Sequence, residues 1–278
     1  NFASPGTTGG LNSTGNTTLR AFDREHDTFD LNSVQLNFSR PAPDSGGVGF
    51  RTEFSFGTDA QVIEAAGFLG GTDEFSIQEA FVELKVPIGS GLTVWAGKFA
   101  TLNGAEVIEN FMNWNASRSF LFTLAIPFTH TGVRAFYNWL DGKVTTTVGL
   151  VNGWDNAIDN NKPKDVEAQI KWAPNENFSI VQNFMGGSQV VEDVGDNRYL
   201  FDTVMTWKPL PKELPKLTFM ANYDFGVEER LGKGREGGPA DWQGYALYAK
   251  YDLYDWLTLA ARFEQFWDDQ GFRTGTAA

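Results

Sequence analysis

Val48-Gly-Phe-Arg-Thr-Glu-Phe-Ser-Phe56 sets the period on which the whole chain is built. Val48, Phe50, Thr52, Phe54 and Phe56 share one side of an extended segment, and Gly49, Arg51, Glu53 and Ser55 share the other. Successive side chains of a strand leave in opposite directions, so a period of two means a half-apolar strand. The alternation returns along the chain. Ala80, Val82, Leu84 and Val86 oppose Glu79, Phe81, Glu83 and Lys85, and Val133, Ala135, Tyr137 and Trp139 oppose Arg134, Phe136 and Asn138. Blocks at 144–150, 166–172, 217–226 and 257–264 repeat it, and those at 31–39, 92–99, 178–186, 198–207 and 243–252 read similarly. The count is about twelve strands. Helical spacing is weak and confined to loops, at Gln61–Leu69 and Ala105–Met112.

The connections alternate in length. Pro87-Ile-Gly-Ser-Gly91, Asp141-Gly142, Ala173-Pro-Asn-Glu-Asn177 and Leu253-Tyr-Asp-Trp256 carry tight-turn chemistry. Longer polar, Gly-rich segments lie between them, near 57–75, 100–118, 153–164, 187–197 and 229–241. Short turns at one end and long loops at the other describe an antiparallel up-and-down meander. Residues 1–278 read as one β domain, with 1–30 as a loop or partial first strand. Strand parity predicts an upward strand before residue 31, and a closed barrel needs further strands after Asp268–Ala278. The terminal strands are therefore expected outside this chain.

Composition excludes several classes. Twenty-two basic and 35 acidic residues give a net charge of −13, a poor match to nucleic acid. Without cysteine there is no disulfide framework, thiol catalysis or thiolate metal site, and His26 and His130 alone cannot build a histidine-rich one. No metal and no cofactor are expected. The longest nearly unbroken apolar run, Phe120–Phe128, is far shorter than the roughly 20 residues of a membrane helix.

Two architectures accommodate a dozen half-apolar strands. A soluble sandwich packs two apolar faces together. A transmembrane β-barrel turns its apolar face to lipid and its polar face to a lumen, with strands of about 9–11 residues. Strand length, charge on the opposite face and the placing of tryptophan point to the barrel. Trp139, Trp172, Trp207 and Trp256 lie beside short turns, as an interfacial girdle requires. Trp114, Trp154, Trp242 and Trp267 lie at long-loop ends, where a second girdle is expected.

Several blocks carry a family resemblance. Gly97-Lys-Phe99, Glu106-Val-Ile-Glu109, Asn113-Trp-Asn-Ala-Ser-Arg-Ser119, Ile126-Pro-Phe-Thr-His-Thr-Gly-Val-Arg134, Gly149-Leu-Val-Asn-Gly-Trp-Asp-Asn156, Tyr199-Leu-Phe-Asp202, Ala246-Leu-Tyr-Ala249 and Gly271-Phe-Arg-Thr-Gly275 resemble the OmpL-like β-barrel porin family of Gram-negative-type bacteria. The resemblance runs from about Leu31 to Gly275. It implies an outer-membrane barrel of about sixteen strands with channel activity, a size that leaves an aqueous lumen.

On that architecture the lumen is lined by Arg51, Glu53, Glu79, Glu83, Lys98, Arg134, Lys171, Arg198, Asp202, Arg262 and Glu264. Acid dominates the loops, with Asp73, Glu74, Asp155, Asp159, Glu192, Asp193 and Asp268 among its carriers. Acid at a pore mouth concentrates cations. The same residues would equally aid solubility, or bind divalent ions that bridge lipopolysaccharide. The loop at about 100–118 is the expected constriction, with Glu106, Glu109 and Arg118 as its charged members. Its apolar Val107, Ile108, Phe111 and Met112 should fold inward, where Glu106 and Glu109 would face Arg51, Lys98 and Arg134, or should cap neighbouring loops. Asp155, Asp159, Asn160 and Asn161 fit a solvated loop better than a calcium site, and Gly232–Gly238 is a flexible loop. His130 lacks a serine and an acid placed to form a hydrolase set and is expected to make a structural hydrogen bond.

The leading expectation is a porin for passive diffusion of small hydrophilic solutes, surrounded by outer-membrane lipid and lipopolysaccharide, alone or as a homo-oligomer. A structural sleeve within a larger envelope complex is the alternative. No enzyme activity is expected.

Overall fold

The computed structural model describes residues 21–22, 29–67, 74–189, 196–229 and 238–275. Asp73, Glu192, Asp193 and most of Gly232–Gly238 lie outside the described residues.

Twelve strands follow one another in a single antiparallel sheet: β1 (Val34–Arg40), β2 (Gly47–Phe56), β3 (Phe75–Val86), β4 (Leu92–Ala100), β5 (Thr129–Trp139), β6 (Val144–Val151), β7 (Asp165–Asn175), β8 (Phe178–Ser188), β9 (Asn197–Trp207), β10 (Leu217–Glu228), β11 (Ala240–Tyr254) and β12 (Leu257–Trp267). Each strand pairs with its sequence neighbours, so the order is the chain order. Among the described residues β1 and β12 do not pair with each other. No helix among the described residues is long and apolar enough to cross a membrane. Most strands have 9–12 residues, the length expected of a tilted bilayer-spanning strand.

Burial is inverted relative to a soluble protein. Val48, Phe50, Val82, Leu84, Val133, Val148, Leu150, Ile170, Leu247 and Phe263 are exposed on one face. Glu53, Glu79, Arg134, Glu167, Asn183, Asp202, Asn222 and Asp224 are buried on the other. A contiguous apolar exterior of this extent has no place in water and fits hydrocarbon. The tryptophans separate accordingly. Trp139, Trp172, Trp207 and Trp256 are exposed beside the short turns. The second girdle is corrected by the structure. Of its four members only Trp267 is exposed, whereas Trp242 is fully buried, and Trp154 and Trp114 pack against the interior cluster. Trp242 has room because its register partner is Gly226, where a Cβ would come within 2.1 Å of the indole.

The strand reading missed the first part of β3 because parity breaks there. Glu53 pairs with Glu79, but Phe54 pairs with Ile77, leaving Gln78 as the extra residue of a bulge. Both Gln78 and Glu79 are buried as a result. The helical expectations shrink. The first is one short helix, α1 (Thr58–Ile63), and the second is only a 3₁₀ turn at Asn110–Met112. The apolar run Phe120–Phe128 is neither strand nor membrane helix; Leu121–Ala125 within it forms a π-helical turn in the interior cluster.

At Gly132 an added Cβ would come within 2.1 Å of the Leu150 carbonyl oxygen and 2.7 Å of Val151 Cα. Both are backbone atoms and cannot rotate away. Gly132→Ala is expected to destabilise the barrel by about 1–3 kcal/mol, read as a lower conversion temperature of the heat-modifiable folded band on gels.

Candidate pore lining and constriction loop

β4 and β5 are joined by residues 101–128, a connection longer than the expected 100–118 because it includes the apolar run. Its two ends are pinned together. Thr101 N donates to Phe128 O at 2.9 Å. Asp155 Oδ1 accepts from Phe128 N at 2.6 Å and from Thr129 N at 3.0 Å. Asp155 is thus a structural cap and not a solvated loop acid. Burial is the dominant influence on its carboxyl and raises the pKa against those hydrogen bonds. His130 braces the same corner. Gly153 O can only accept, so Nδ1 carries the proton, and Nε2 accepts from the Thr101 hydroxyl at 3.1 Å.

From this base the loop crosses the inner side of the sheet. Gly104 N donates to Asp202 Oδ1 on β9 at 3.0 Å, and Ala105 N to Asn222 Oδ1 on β10 at 3.2 Å. Glu106 pairs with Arg262 on β12 at 3.0 Å and accepts from Ser119 N at 2.6 Å. Arg262 also donates to Ser117 and Arg118 O, and Glu264 accepts from Phe120 N at 2.7 Å. Trp242 Nε1 donates to Ala125 O at 3.1 Å. Arg118 is held by Asp59 of α1 at 3.1 Å, by Ile108 O, and by stacking 4.0 Å from the Phe22 ring centroid. Polar side chains of the buried face are therefore the loop's anchors, which places it against the inner wall and not as an outer cap.

Glu109 reaches the opposite side of the sheet. Gln78 Nε2 donates to Glu109 Oε1 at 2.7 Å and to Glu53 Oε1 at 3.2 Å. Arg51 ties Glu53 at 2.6 Å and Glu79 at 2.5 Å. Burial, with the neighbouring Glu53 carboxylate adding to it, holds the Glu109 carboxyl above the usual carboxylate range.

The expected facing of Glu106 and Glu109 on Arg51, Lys98 and Arg134 is corrected on all but one point. Glu106 belongs to Arg262, and Arg51 meets Glu109 only across Glu53 and Gln78. Arg134 is spent on a two-pronged pair with Glu167, at 2.6 and 2.8 Å. Lys98 alternates with the buried Phe99, which stacks under Arg134. Lys98 is itself buried and donates to Ile77 O at 2.7 Å. Glu83 accepts from Trp95 Nε1 at 3.0 Å, Arg198 pairs with Glu228 at 2.6 Å, and Lys171 is exposed toward the short-turn end of β7.

Sequence reasoning passed over Gln78, Asn183 and Asn222 because a census of charges does not see amides. Asn183 and Asn222 both donate to Asp202, at 2.7 and 2.9 Å. Their strand parity was the available signal. Asp59 and Phe22 had none, since their roles depend on where the loop lands. Among the described residues no group of three or more His, Asp or Glu is placed to hold a metal.

Comparisons with known proteins agree with this geometry. The family model described as "Putative beta-barrel porin-2, OmpL-like" matches residues 6–278. The anion-selective porin from Comamonas acidovorans superposes with a TM-score of 0.58 at 10% identity, over 92% of this chain and 74% of that one. The outer-membrane channel DcaP of Acinetobacter baumannii gives 0.57 at 12% identity, over 90% of this chain and 72% of that one. These likenesses fix the architecture as an outer-membrane porin barrel wall. No curated protein matches the chain.

Arg134 and Glu167 are nearly without solvent, so removing one partner strands a charge. Glu167→Leu is expected to cost about 3–5 kcal/mol, and the double variant Arg134→Met/Glu167→Leu to recover a large part of it. Chemical unfolding of the three proteins in detergent checks the ordering.

Proposed function

The chain belongs to the OmpL-like β-barrel porin family of the bacterial outer membrane, and we propose that it forms a water-filled channel for passive diffusion of small hydrophilic solutes and ions. A channel and not an enzyme is what the family and the barrel architecture indicate. The single observation that supports the reading most is the inversion of the wall. Apolar side chains are exposed on one face, and hydrogen-bonded charge is buried on the other beneath an inward loop.

In this reading residues 101–128 form the constriction, extending the 100–118 expectation, with Glu106, Glu109 and Arg118 as its charged members. Glu106 and Arg118 act mainly as its fastenings, because their charges are already matched by Arg262 and Asp59. Glu109 is less completely matched and closer to the acid group of β2 and β3. Arg51, with more than a third of its side chain exposed, is the wall cation that a passing solute meets.

Mild cation preference follows from the acid excess of the sequence, −13 overall, much of it in loops at the mouth. In a planar bilayer under a potassium chloride gradient the reversal potential should have the cation-selective sign. An anion-selective sign would overturn this part of the proposal and leave the channel intact.

Glu109 supplies a pH dependence. Its raised pKa means that docking of the loop takes up a proton. The docked arrangement is fully favoured below the ordinary carboxylate range and loses stability as pH rises through the raised value. Open-channel current should therefore grow noisier from acid to neutral pH. Glu109→Gln should flatten that dependence and Glu106→Gln should alter conductance at every pH. Unchanged single-channel records for both variants would remove the constriction role.

A further inference from the structure

The loop ends of β6, β9, β11 and β12 meet in an aromatic cluster that contains two arginines, one of which sequence reasoning did not single out. Arg198 and Arg273 each place Cζ 4.8 Å from the Trp154 ring centroid. They also approach the Phe272 ring, at 5.1 and 5.9 Å. The fully buried Trp242 backs these rings, edge-on to Trp154 at 6.0 Å and 5.6 Å from Phe272.

The Nε atoms of both arginines are used. Arg198 Nε pairs with Glu228 at 2.6 Å and Arg273 Nε donates to Leu124 O. Among the described residues the Nη atoms donate to no acceptor, and none is buried without a partner. They therefore remain open to water. The nearby acids Asp155, Asp268 and Glu228 attract Arg273 through space, but among the described residues none accepts a hydrogen bond from its Nη atoms. Asp155 accepts from Phe128 N and Thr129 N, and Asp268 accepts from the backbone nitrogens of Phe272, Arg273 and Thr274. Two guanidinium groups are thus crowded against the same rings with free donor ends. Crowding has the expected sign: burial first, and Arg198 next, lower Arg273 to about 10, which still leaves it charged at neutral pH.

We propose that Arg198 and Arg273 form a subsite at the long-loop mouth for a small organic carboxylate, with the half-buried Trp154 and Phe272 receiving its apolar body. A guanidinium stacked on an aromatic face keeps its planar donor edge available, and that edge matches the two oxygens of a carboxylate. The rings give the rest of such a solute a flat apolar surface, which inorganic anions cannot exploit. The subsite rests on the channel reading, as a place where a solute dwells before the constriction. It is compatible with a cation-preferring mouth, because a local arginine pair acts over a few ångströms whereas the loop acids set the wider field.

Isothermal titration of the folded full chain in detergent tests it, with benzoate as the probe and benzyl alcohol and inorganic phosphate as controls. Benzoate should bind saturably and more tightly than either control. Arg273→Gln should weaken benzoate by about tenfold or more. Arg198→Lys keeps the charge beside Glu228 and guards against misfolding, and it should also weaken benzoate by removing the second fork. Equal affinity for benzyl alcohol, or unchanged benzoate affinity in folded Arg273→Gln, would overturn the site. Phosphate binding as tightly as benzoate would overturn the organic assignment. The titration requires no conduction, so absent binding with normal conductance removes only the subsite, whereas binding without conductance counts against the channel.

Discussion

Every backbone donor and acceptor of a strand in hydrocarbon must be satisfied by a neighbouring strand, because lipid offers no alternative partner. That constraint organises the molecule. It keeps the strands in chain order, since each is held by the neighbour it is connected to. It also fixes the side chains into two sets by alternation, one meeting lipid and one meeting the interior. The exposed Val48, Phe50 and Leu84 and the buried Glu53 and Glu79 belong to the same two neighbouring strands and differ only in parity.

The interior set brings its own requirement. A buried charge is tolerated only when paired and hydrogen-bonded, and the pairing is better evidence of a unique arrangement than of stability. Here the wall satisfies itself in part, as in Arg134 with Glu167 and Arg51 with Glu53 and Glu79. It satisfies the rest through residues 101–128. Asp202 and Asn222 hold the loop's backbone, Arg262 holds Glu106 and two carbonyls, and Glu264 holds Phe120 N. The loop is polar where it touches the wall and apolar in its Phe120–Phe128 stretch, whose rings pack together with Phe22.

This division changes the meaning of the charge balance. Most interior acids are buried and committed to arginines, amides or backbone nitrogens. Some interior cations keep accessible ends, as Arg51 does at β2 and as Arg198 and Arg273 do at the mouth. In the proposed channel, the field on a small ion would come mainly from the acid excess of the loops. In the same proposal, a larger solute would meet the arginine edges and the rings beside them.

The period of two, the alternation of short and long connections, and the tryptophans beside short turns determine the architecture from the sequence alone. They do so because strand alternation is a local property: inward parity follows for Arg134, Glu167, Arg262 and Glu264 without knowledge of any partner. The rest needed the tertiary structure. A single bulge at Gln78 turns two consecutive residues inward, which no regular alternation can express. Trp242 and Trp154 carry the composition of a girdle but face the interior, because Gly226 and the loop ends leave space there. Glu106 finds Arg262 and not Arg134 because the landing place of a long loop depends on side chains more than a hundred residues away. Sequence thus decided which face each strand residue occupies, and tertiary structure decided which buried charges meet, since pairing is settled only when distant strands and one long connection share the same interior.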